Sequence, residues 1–224
     1  EIYDSITSGN NDGTITSGQS VNTAQSSKPE WQKSVKRTID IVVSTISLIL
    51  LLPAFAVISF LIKRDSQGSV FYKQERIGRH GKPFNIYKFR TMYSDAERDG
   101  VPRLTGDNDR RITRIGSFLR KYRIDETPQF WNVIKGDMSL VGPRPEREYF
   151  AQRIVEKAPY YTLTYRIRPG ITSWGMVKYG YAQTVDEMIE RSKYDLIYLE
   201  NMSLFIDIKI VLYTVRTVLT GKGI

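Results

Sequence analysis

The chain has 224 residues, no cysteine and a single histidine, which excludes disulfides, thiolate nucleophiles and clustered zinc sites. Its formal net charge is +9, and because the first 30 residues carry −3, the other 194 carry +12. So large a basic excess indicates a polyanionic partner, which can be nucleic acid, an acidic lipid surface or a multiply phosphorylated small molecule.

Residues 1–30 are predicted to form a flexible polar linker. Residues 5–27 consist almost entirely of Ser, Thr, Gly, Asn and Gln, and they hold too few apolar side chains to build a packed core. The sequence also opens on Glu1 rather than on methionine. We therefore expect that a larger parent protein contains this chain.

Residues 31–64 are predicted to form a re-entrant membrane helix. Within them, Ile41 to Ile62 is free of charge for 22 residues, and two basic residues stand on each side of this segment. The positive-inside rule draws both flanks to the cytoplasmic face, and Pro53 divides the segment into halves of about 18 and 15 Å, each too short to span a bilayer. A helix that turns at Pro53 and leaves by the same face satisfies these facts. A single pass kinked at Pro53 is the alternative.

Residues 65–224 are predicted to form a small mixed α/β domain. The segments SVFYKQERIG and KPFNIYKFRTM alternate in polarity around a Gly-rich turn, which predicts a β-hairpin. Residues 114–123 predict a basic amphipathic helix, and residues 128–134 and 204–219 predict two more apolar helices with aromatic or basic edges. Such helices suit the headgroup layer of a membrane, and ordinary core helices are the alternative.

Asp125 and Glu126 are adjacent carboxylates directly after the basic helix. Neighbouring acids at a helix end project in different directions, so one can attack phosphorus while the other orients a cation. A solvated turn, or an N-cap before Pro128, is the alternative interpretation. The basic residues just upstream, Arg120 among them, favour the chemical interpretation.

Further basic residues are candidate ligands for phosphate oxygens. Lys88 and Arg90 lie on the second strand of the hairpin, opposite Lys73 and Arg76. Other candidates are Arg144, held between two prolines in GPRP, and Arg168 in RPG, which is equally a turn signal. Each basic group taken singly can also be a solvated surface feature.

These blocks together resemble the bacterial sugar transferases, the monotopic polyprenol-phosphate phosphoglycosyl transferases. The resemblance covers residues 33–224 and rests on KRTIDIVVSTISLILLLP, FYKQERIGRHGKPFNIYKFRTM, FLRKYRIDETPQFWNVIKGDMSLVGPRP and RIRPGIT. The chain departs from the family pattern at Leu52-Pro53, where many members have Ser-Pro. It departs again after RPGIT, where SWGMVKYG replaces a Gly-Trp-rich form, so sugar specificity is not carried over.

The resemblance implies transfer of a sugar-1-phosphate from a UDP-sugar to undecaprenyl phosphate with release of UMP. It implies Asp125 as the nucleophile that forms a covalent phosphosugar intermediate, Glu126 as its partner, Mg²⁺ held at these two residues, and Arg120 as the arginine upstream of the dyad. The resemblance also implies that Pro53 is the helix break. The other predicted phosphate ligands, Lys88, Arg90, Arg144 and Arg168, rest on their charge and position rather than on the resemblance.

The chain is therefore expected to initiate surface or exopolysaccharide synthesis on the cytoplasmic face of a bacterial inner membrane. The expected partners are the UDP-sugar, undecaprenyl phosphate and inner-membrane lipid, with no nucleic acid and with a homodimer left open. Two other functions are compatible with the residues: a membrane-tethered basic adaptor for nucleic acid or acidic lipid, and a membrane phosphohydrolase with the same aspartyl chemistry.

Overall fold

A computed structural model describes residues 30–96, 103–106 and 109–221. The linker predicted for residues 1–30 lies outside this part of the chain except for Glu30, with which the first helix begins.

Helix α1 (Glu30–Asp65) is the longest element, with 36 residues and Pro53 inside it. The chain is helical on both sides of Pro53, so the change of direction predicted there stays a prediction. The helix is long and apolar enough to cross a membrane, and only 6% of its most apolar 18-residue window is buried. The buried core helix of a soluble protein would bury most of that window.

The predicted hairpin is confirmed. Strand β1 (Phe71–Ile77) pairs antiparallel with strand β2 (Pro83–Phe89), and the short 3₁₀ turn Arg79–Gly81 joins them. Ile86 and Phe89 of β2 are both buried, and their spacing of three residues places them on opposite faces of the strand. Phe89 then packs with Ile62 of α1 and with Leu119 of the next helix.

Helix α2 (Arg114–Lys121) is the predicted basic amphipathic helix, capped by the Thr113 hydroxyl, which accepts from the N–H of Gly116. A 3₁₀ segment, Ile124–Gln129, carries the two adjacent acids, and helix α3 (Phe130–Lys135) follows it. Gly116 lies against the backbone of Thr91, where a Cβ would overlap the carbonyl oxygen. That close approach brings α2 onto the end of β2.

Two short strands, β3 (Ser139–Val141) and β4 (Gly170–Thr172), pair in parallel. Helix α4 (Glu148–Lys157) and the 3₁₀ segment Pro159–Arg166 connect them. Helices α5 (Trp174–Lys178), α6 (Val185–Glu200) and α7 (Leu204–Leu219) complete the described chain. The domain thus mixes helices with small sheets, as predicted.

Helix α7 has one buried and one exposed apolar face. Ile206 and Ile210 pack against Val141 and Tyr198. The opposite face exposes a stripe of large apolar side chains, formed by Phe205, Ile208, Leu212, Val215 and Leu219. The helix therefore contributes to the core, as one of the two predicted alternatives has it, and also presents an exposed apolar surface; its placement in the headgroup layer stays a prediction.

Candidate active site

A cavity of about 590 Å³ opens between the hairpin, α2 and the segment after β3. Asp125 and Glu126 both line it and are both buried. Four of the five basic residues predicted to bind phosphate line the same cavity: Lys88, Arg90, Arg120 and Arg144. The structure thus brings residues separated by more than fifty positions in the sequence to one site.

Glu126 is held by three cations. Lys88 donates to Oε1 at 2.7 Å, and Arg123 donates to Oε2 at 2.6 and 3.2 Å. The Nη1 atom of Arg144 lies 3.6 Å from Oε1. Although burial alone would raise the pKa of Glu126, these cations hold it well below its usual range, Arg123 having the largest effect among them. The ionised form of Glu126 is therefore favoured, and its carboxylate organises the surrounding cations.

Asp125 differs from its neighbour. Among the residues that the structure describes, none donates a hydrogen bond to its carboxylate or lies within ion-pair distance of it. Burial raises the pKa of Asp125 to about 6, Lys88 opposes this rise, and the Glu126 charge adds to it. Asp125 is thus the carboxylate with unengaged oxygens, beside cations that favour its ionised form.

The two arginines that line the cavity beside the dyad are positioned differently. Arg120 donates from Nε to the Thr91 hydroxyl at 2.8 Å and from Nη1 to the Thr105 hydroxyl at 3.1 Å. Arg144 lies over the ring of Tyr181, 6.0 Å from its centroid, and Arg123 lies 5.6 Å from the same centroid. Arg120 has hydroxyl partners and Arg144 approaches Glu126 through Nη1, so each guanidinium retains N–H groups for an anionic ligand.

Arg90 contributes to the fold as well as to the cavity wall. Its guanidinium donates to the carbonyl oxygens of Ser66 and Gln67 at the end of α1, and to the Ser66 hydroxyl at 3.0 Å. Its Nε is buried without a hydrogen-bond partner. Arg90 therefore fastens the C-terminal end of α1 to strand β2.

Arg168 does not line the cavity with the dyad. It lies in a second cavity, where its Nε donates to the carbonyl oxygen of Gly136 at 2.9 Å. The structure therefore separates this one predicted phosphate ligand from the other four.

Residues that were not predicted hold the loop bearing Arg144. Asp195 of α6 accepts from the N–H of Arg144 at 3.3 Å and from the N–H of Gly175 at 2.8 Å. Nearby, Glu146 pairs with Arg191 of α6 and with Arg76 of β1. A sequence signal existed for Asp195 and Arg191, since both are charged residues at helical spacing from the buried Met188, Ile189 and Leu199 of α6. Tyr181, in a loop, had none.

The dyad is compatible with Mg²⁺. The residues that the structure describes contain no group of three or more His, Cys, Asp or Glu side chains arranged to hold a metal. Mg²⁺ in phosphoryl-transfer sites typically takes only one or two carboxylates and completes its shell with substrate phosphates and water. The unengaged oxygens of Asp125 beside Glu126 meet that smaller requirement.

Fold and site together define an α/β domain with one long, mostly exposed apolar helix and a buried pair of carboxylates among cations. Residues 31–221 match the family model of the bacterial sugar transferases, and the chain belongs to that family.

Named relatives agree with this membership. The chain is 43% identical over 189 residues to the UDP-N-acetylgalactosamine-undecaprenyl-phosphate N-acetylgalactosaminephosphotransferase of Aeromonas hydrophila. The matched residues cover 84% of this chain and 44% of the relative. It is 39% identical to the UDP-glucose:undecaprenyl-phosphate glucose-1-phosphate transferase of Escherichia coli K12 over 81% of this chain and 39% of the relative. A Caulobacter vibrioides transferase of the same name is 39% identical, over 83% and 70% respectively. The chain thus spans less than half of the first two relatives.

Proposed function

We propose that this chain transfers a sugar-1-phosphate from a UDP-sugar to undecaprenyl phosphate, giving undecaprenyl-diphosphate-sugar and UMP. The observation that carries the proposal is the contrast within the dyad: Glu126 is neutralised by three cations, whereas Asp125 is buried beside them with unengaged oxygens. The undecaprenyl-phosphate acceptors in the names of the relatives support the choice of substrates. The adaptor alternative gives no reason to bury a carboxylate without a partner.

Asp125 is the nucleophile in the proposed mechanism. One of its carboxylate oxygens bonds to the phosphorus that carries the sugar, and the bond from that phosphorus to the bridging oxygen of the pyrophosphate breaks. UMP leaves with the bridging oxygen. A phosphate oxygen of the polyprenyl phosphate then bonds to the same phosphorus and displaces Asp125, which restores its carboxylate.

The cations around the dyad stabilise charge that develops on the pyrophosphate. Arg120 and Arg144 have N–H groups not engaged by carboxylates within a buried site, where such interactions are strongest. Glu126 keeps Lys88 and Arg123 in place between turnovers. Mg²⁺ would be held by Asp125 and Glu126 together with donor phosphate oxygens, and when bound it neutralises phosphate charge.

We also propose that α1 enters and leaves the membrane by one face, the cytoplasmic face of the inner membrane. The supporting observation is that both ends of α1 contact the same domain. Near its start, Arg37 donates to the carbonyl oxygens of Val133 and Ile134 in α3. Near its end, Ile62 packs on Phe89 of β2. The residues between these contacts include the most exposed apolar side chains of the helix, such as Leu50.

The topology is tested by cysteine labelling. Because the chain has no natural cysteine, Ser34→Cys and Ser66→Cys each give a single label site. An impermeant maleimide should label both in inverted vesicles and neither in intact cells. Labelling of the two sites from opposite sides would show a single pass and overturn the re-entrant path.

The activity is tested with solubilised protein, a panel of UDP-sugars and undecaprenyl phosphate, by assaying UMP. UMP should form with at least one sugar and be lost in Asp125→Asn, whereas Asp186→Asn, on an exposed surface that lines neither cavity, should keep wild-type turnover. Without acceptor, the peptide containing Asp125 should gain the mass of a sugar phosphate. Undiminished UMP release by Asp125→Asn would refute the mechanism, and free sugar phosphate as the product would make the chain a phosphohydrolase.

A further inference from the structure

A second cavity of about 620 Å³ lies apart from the dyad. The first turns of α1, the start of α7, the turn at Arg79 and the segment just before β4 enclose it. Neither Asp125 nor Glu126 lines it. The proposed transfer reaction makes no use of this cavity.

The cavity is rich in arginine. Its basic lining residues are Lys33, Lys36, Arg37, Arg79, Arg166 and Arg168, and its acidic ones are Glu30, Asp40 and Asp207. All three acids have partners other than the arginines: Glu30 pairs with Lys33 at 2.7 Å, and Asp207 with Lys36 at 2.7 Å. Asp40 is buried and accepts from the Ser139 hydroxyl and the N–H of Leu140.

Four guanidiniums therefore have no carboxylate within ion-pair distance in the described part of the chain: Arg37, Arg79, Arg166 and Arg168. Three of them donate to neutral carbonyl oxygens: Arg37 to that of Val133, Arg79 to that of Arg166 at 3.3 Å, and Arg168 to that of Gly136. Carbonyl acceptors satisfy only part of the five N–H donors of each fork and none of its charge. After burial, the positive charges of Arg37 and Arg79 are the largest causes that lower the pKa of Arg168.

The position of the cavity indicates where its ligand comes from. It opens at the start of α1, whose charge-free segment begins at Ile41, and at Leu204, next to the exposed stripe of α7 that begins with Phe205. On the membrane placement proposed above, this is the level of lipid headgroups. The proposed mechanism places the donor nucleotide in the other cavity, which the dyad lines.

We propose that this second cavity binds the phosphate of an anionic phospholipid headgroup through the four guanidiniums, as a lipid site distinct from the catalytic one. The inference rests on the proposed membrane placement of α1 and α7, and not on the transfer chemistry.

The test compares two charge-matched double variants of the whole chain in a neutral detergent. Arg79→Gln with Arg166→Gln removes two cavity cations whose side chains hold at most one carbonyl contact, at Arg79. The control, Arg153→Gln with Lys157→Gln, removes two exposed cations of α4 that line neither cavity. Native mass spectrometry measures the phosphatidylglycerol that each protein retains from mixed phosphatidylglycerol and phosphatidylcholine vesicles.

Wild type and control should retain one phosphatidylglycerol per chain, and the cavity variant should retain it about tenfold less, since each arginine near a lipid surface contributes appreciably to binding anionic lipid. Equal retention by the cavity variant and the wild type would overturn the proposal. Displacement of lipid by low millimolar inorganic phosphate, or occupancy by phosphate with no lipid, would assign the site to a soluble phosphate instead.

UMP release with detergent-solubilised acceptor separates this inference from the proposed function. The cavity variant should turn over as fast as wild type, because the dyad and its cations are untouched. If the cavity variant loses phosphatidylglycerol but releases UMP as fast as wild type, the lipid site is supported. If the wild type retains lipid but releases no UMP, only the proposed transferase activity is refuted.

Discussion

Arg123 donates to Glu126 through both Nε and Nη2, at 3.2 and 2.6 Å, from a backbone in the left-handed region at φ 54°. That conformation costs a residue with a Cβ roughly 1 kcal/mol. It directs the guanidinium toward Glu126, three residues later in the chain, where Lys88 and Arg144 also lie. The left-handed backbone of Arg123 thus helps to neutralise Glu126 and not Asp125.

Replacing Glu126 by Gln should destabilise the protein by about 3 to 5 kcal/mol. The change removes the carboxylate that Lys88, Arg123 and Arg144 share and leaves buried cations unpaired. Thermal unfolding of the solubilised protein, followed by circular dichroism, measures the effect. Glu190→Gln, which breaks only an exposed pair with Lys193, is the control and should be almost neutral. A similar loss in both variants would contradict the central role of Glu126.

Replacing Asp125 by Asn should have the opposite sign and stabilise the protein at pH 8 by about 1 to 3 kcal/mol. The folded pKa of Asp125 is raised to about 6, so its favourable contribution is present below the unfolded pKa and is lost as pH rises through about 6. At pH 8 the wild type therefore carries a desolvated charge that Asn lacks. The difference between variant and wild type should shrink toward pH 4, and a gap that does not vary with pH would refute the assignment.

The same raised pKa should appear in catalysis. Because only the ionised carboxylate of Asp125 can attack phosphorus, kcat/KM should rise with pH through about 6 and then level off. The profile is measured from UMP release at subsaturating donor. A profile flat from pH 5 to 8 would exclude Asp125 as the group whose ionisation limits the first step.

Replacing Arg144 by Lys should lower turnover more than about tenfold while leaving membrane association intact, because lysine lacks the planar fork. The fork lies over Tyr181 and reaches Glu126, and an ammonium cannot reproduce both contacts with N–H groups to spare. Arg153→Lys on α4 is the matched control and should keep wild-type turnover. Near-normal turnover of Arg144→Lys would make Arg144 a structural cation only.

Replacing Gly142 by Ala should destabilise the protein by on the order of 3 kcal/mol. A Cβ there would overlap the backbone of Arg168 and Gly170, where the chain just after β3 lies against the chain entering β4. Gly106→Ala is the control, since it meets open space at an ordinary φ. If both variants unfold alike, the close approach of the two strands contributes little to stability.

The local elements were accessible from the sequence because each depends on neighbours in the chain. Alternation around the Gly-rich turn predicted the hairpin, and helical spacing predicted α2 and the bounds of α7. The adjacency of Asp125 and Glu126 was likewise visible in the sequence. Their unequal ionisation was not, because it depends on Lys88 and Arg144, which only the fold brings to the dyad.

Two basic residues show where sequence reasoning reached its limit. Arg90 and Arg168 both stand in segments rich in positive charge, and charge alone could not show that Arg90 holds the carbonyls that follow α1 or that Arg168 lies in a separate cavity from the dyad. Tyr181 lies in a loop without periodicity, so no pattern pointed to its place beneath Arg123 and Arg144.

Strand β2 links the end of α1 to the dyad within three residues. Arg90 holds the residues directly after α1, and Lys88, two positions earlier, holds Glu126. Two residues of a strand span about 7 Å, so the distance between the dyad and the end of the apolar helix is nearly fixed. On the proposed placement, Asp125 lies at a fixed height above the bilayer. An acceptor is therefore selected by the height at which its prenyl chain presents the phosphate, as well as by its charge.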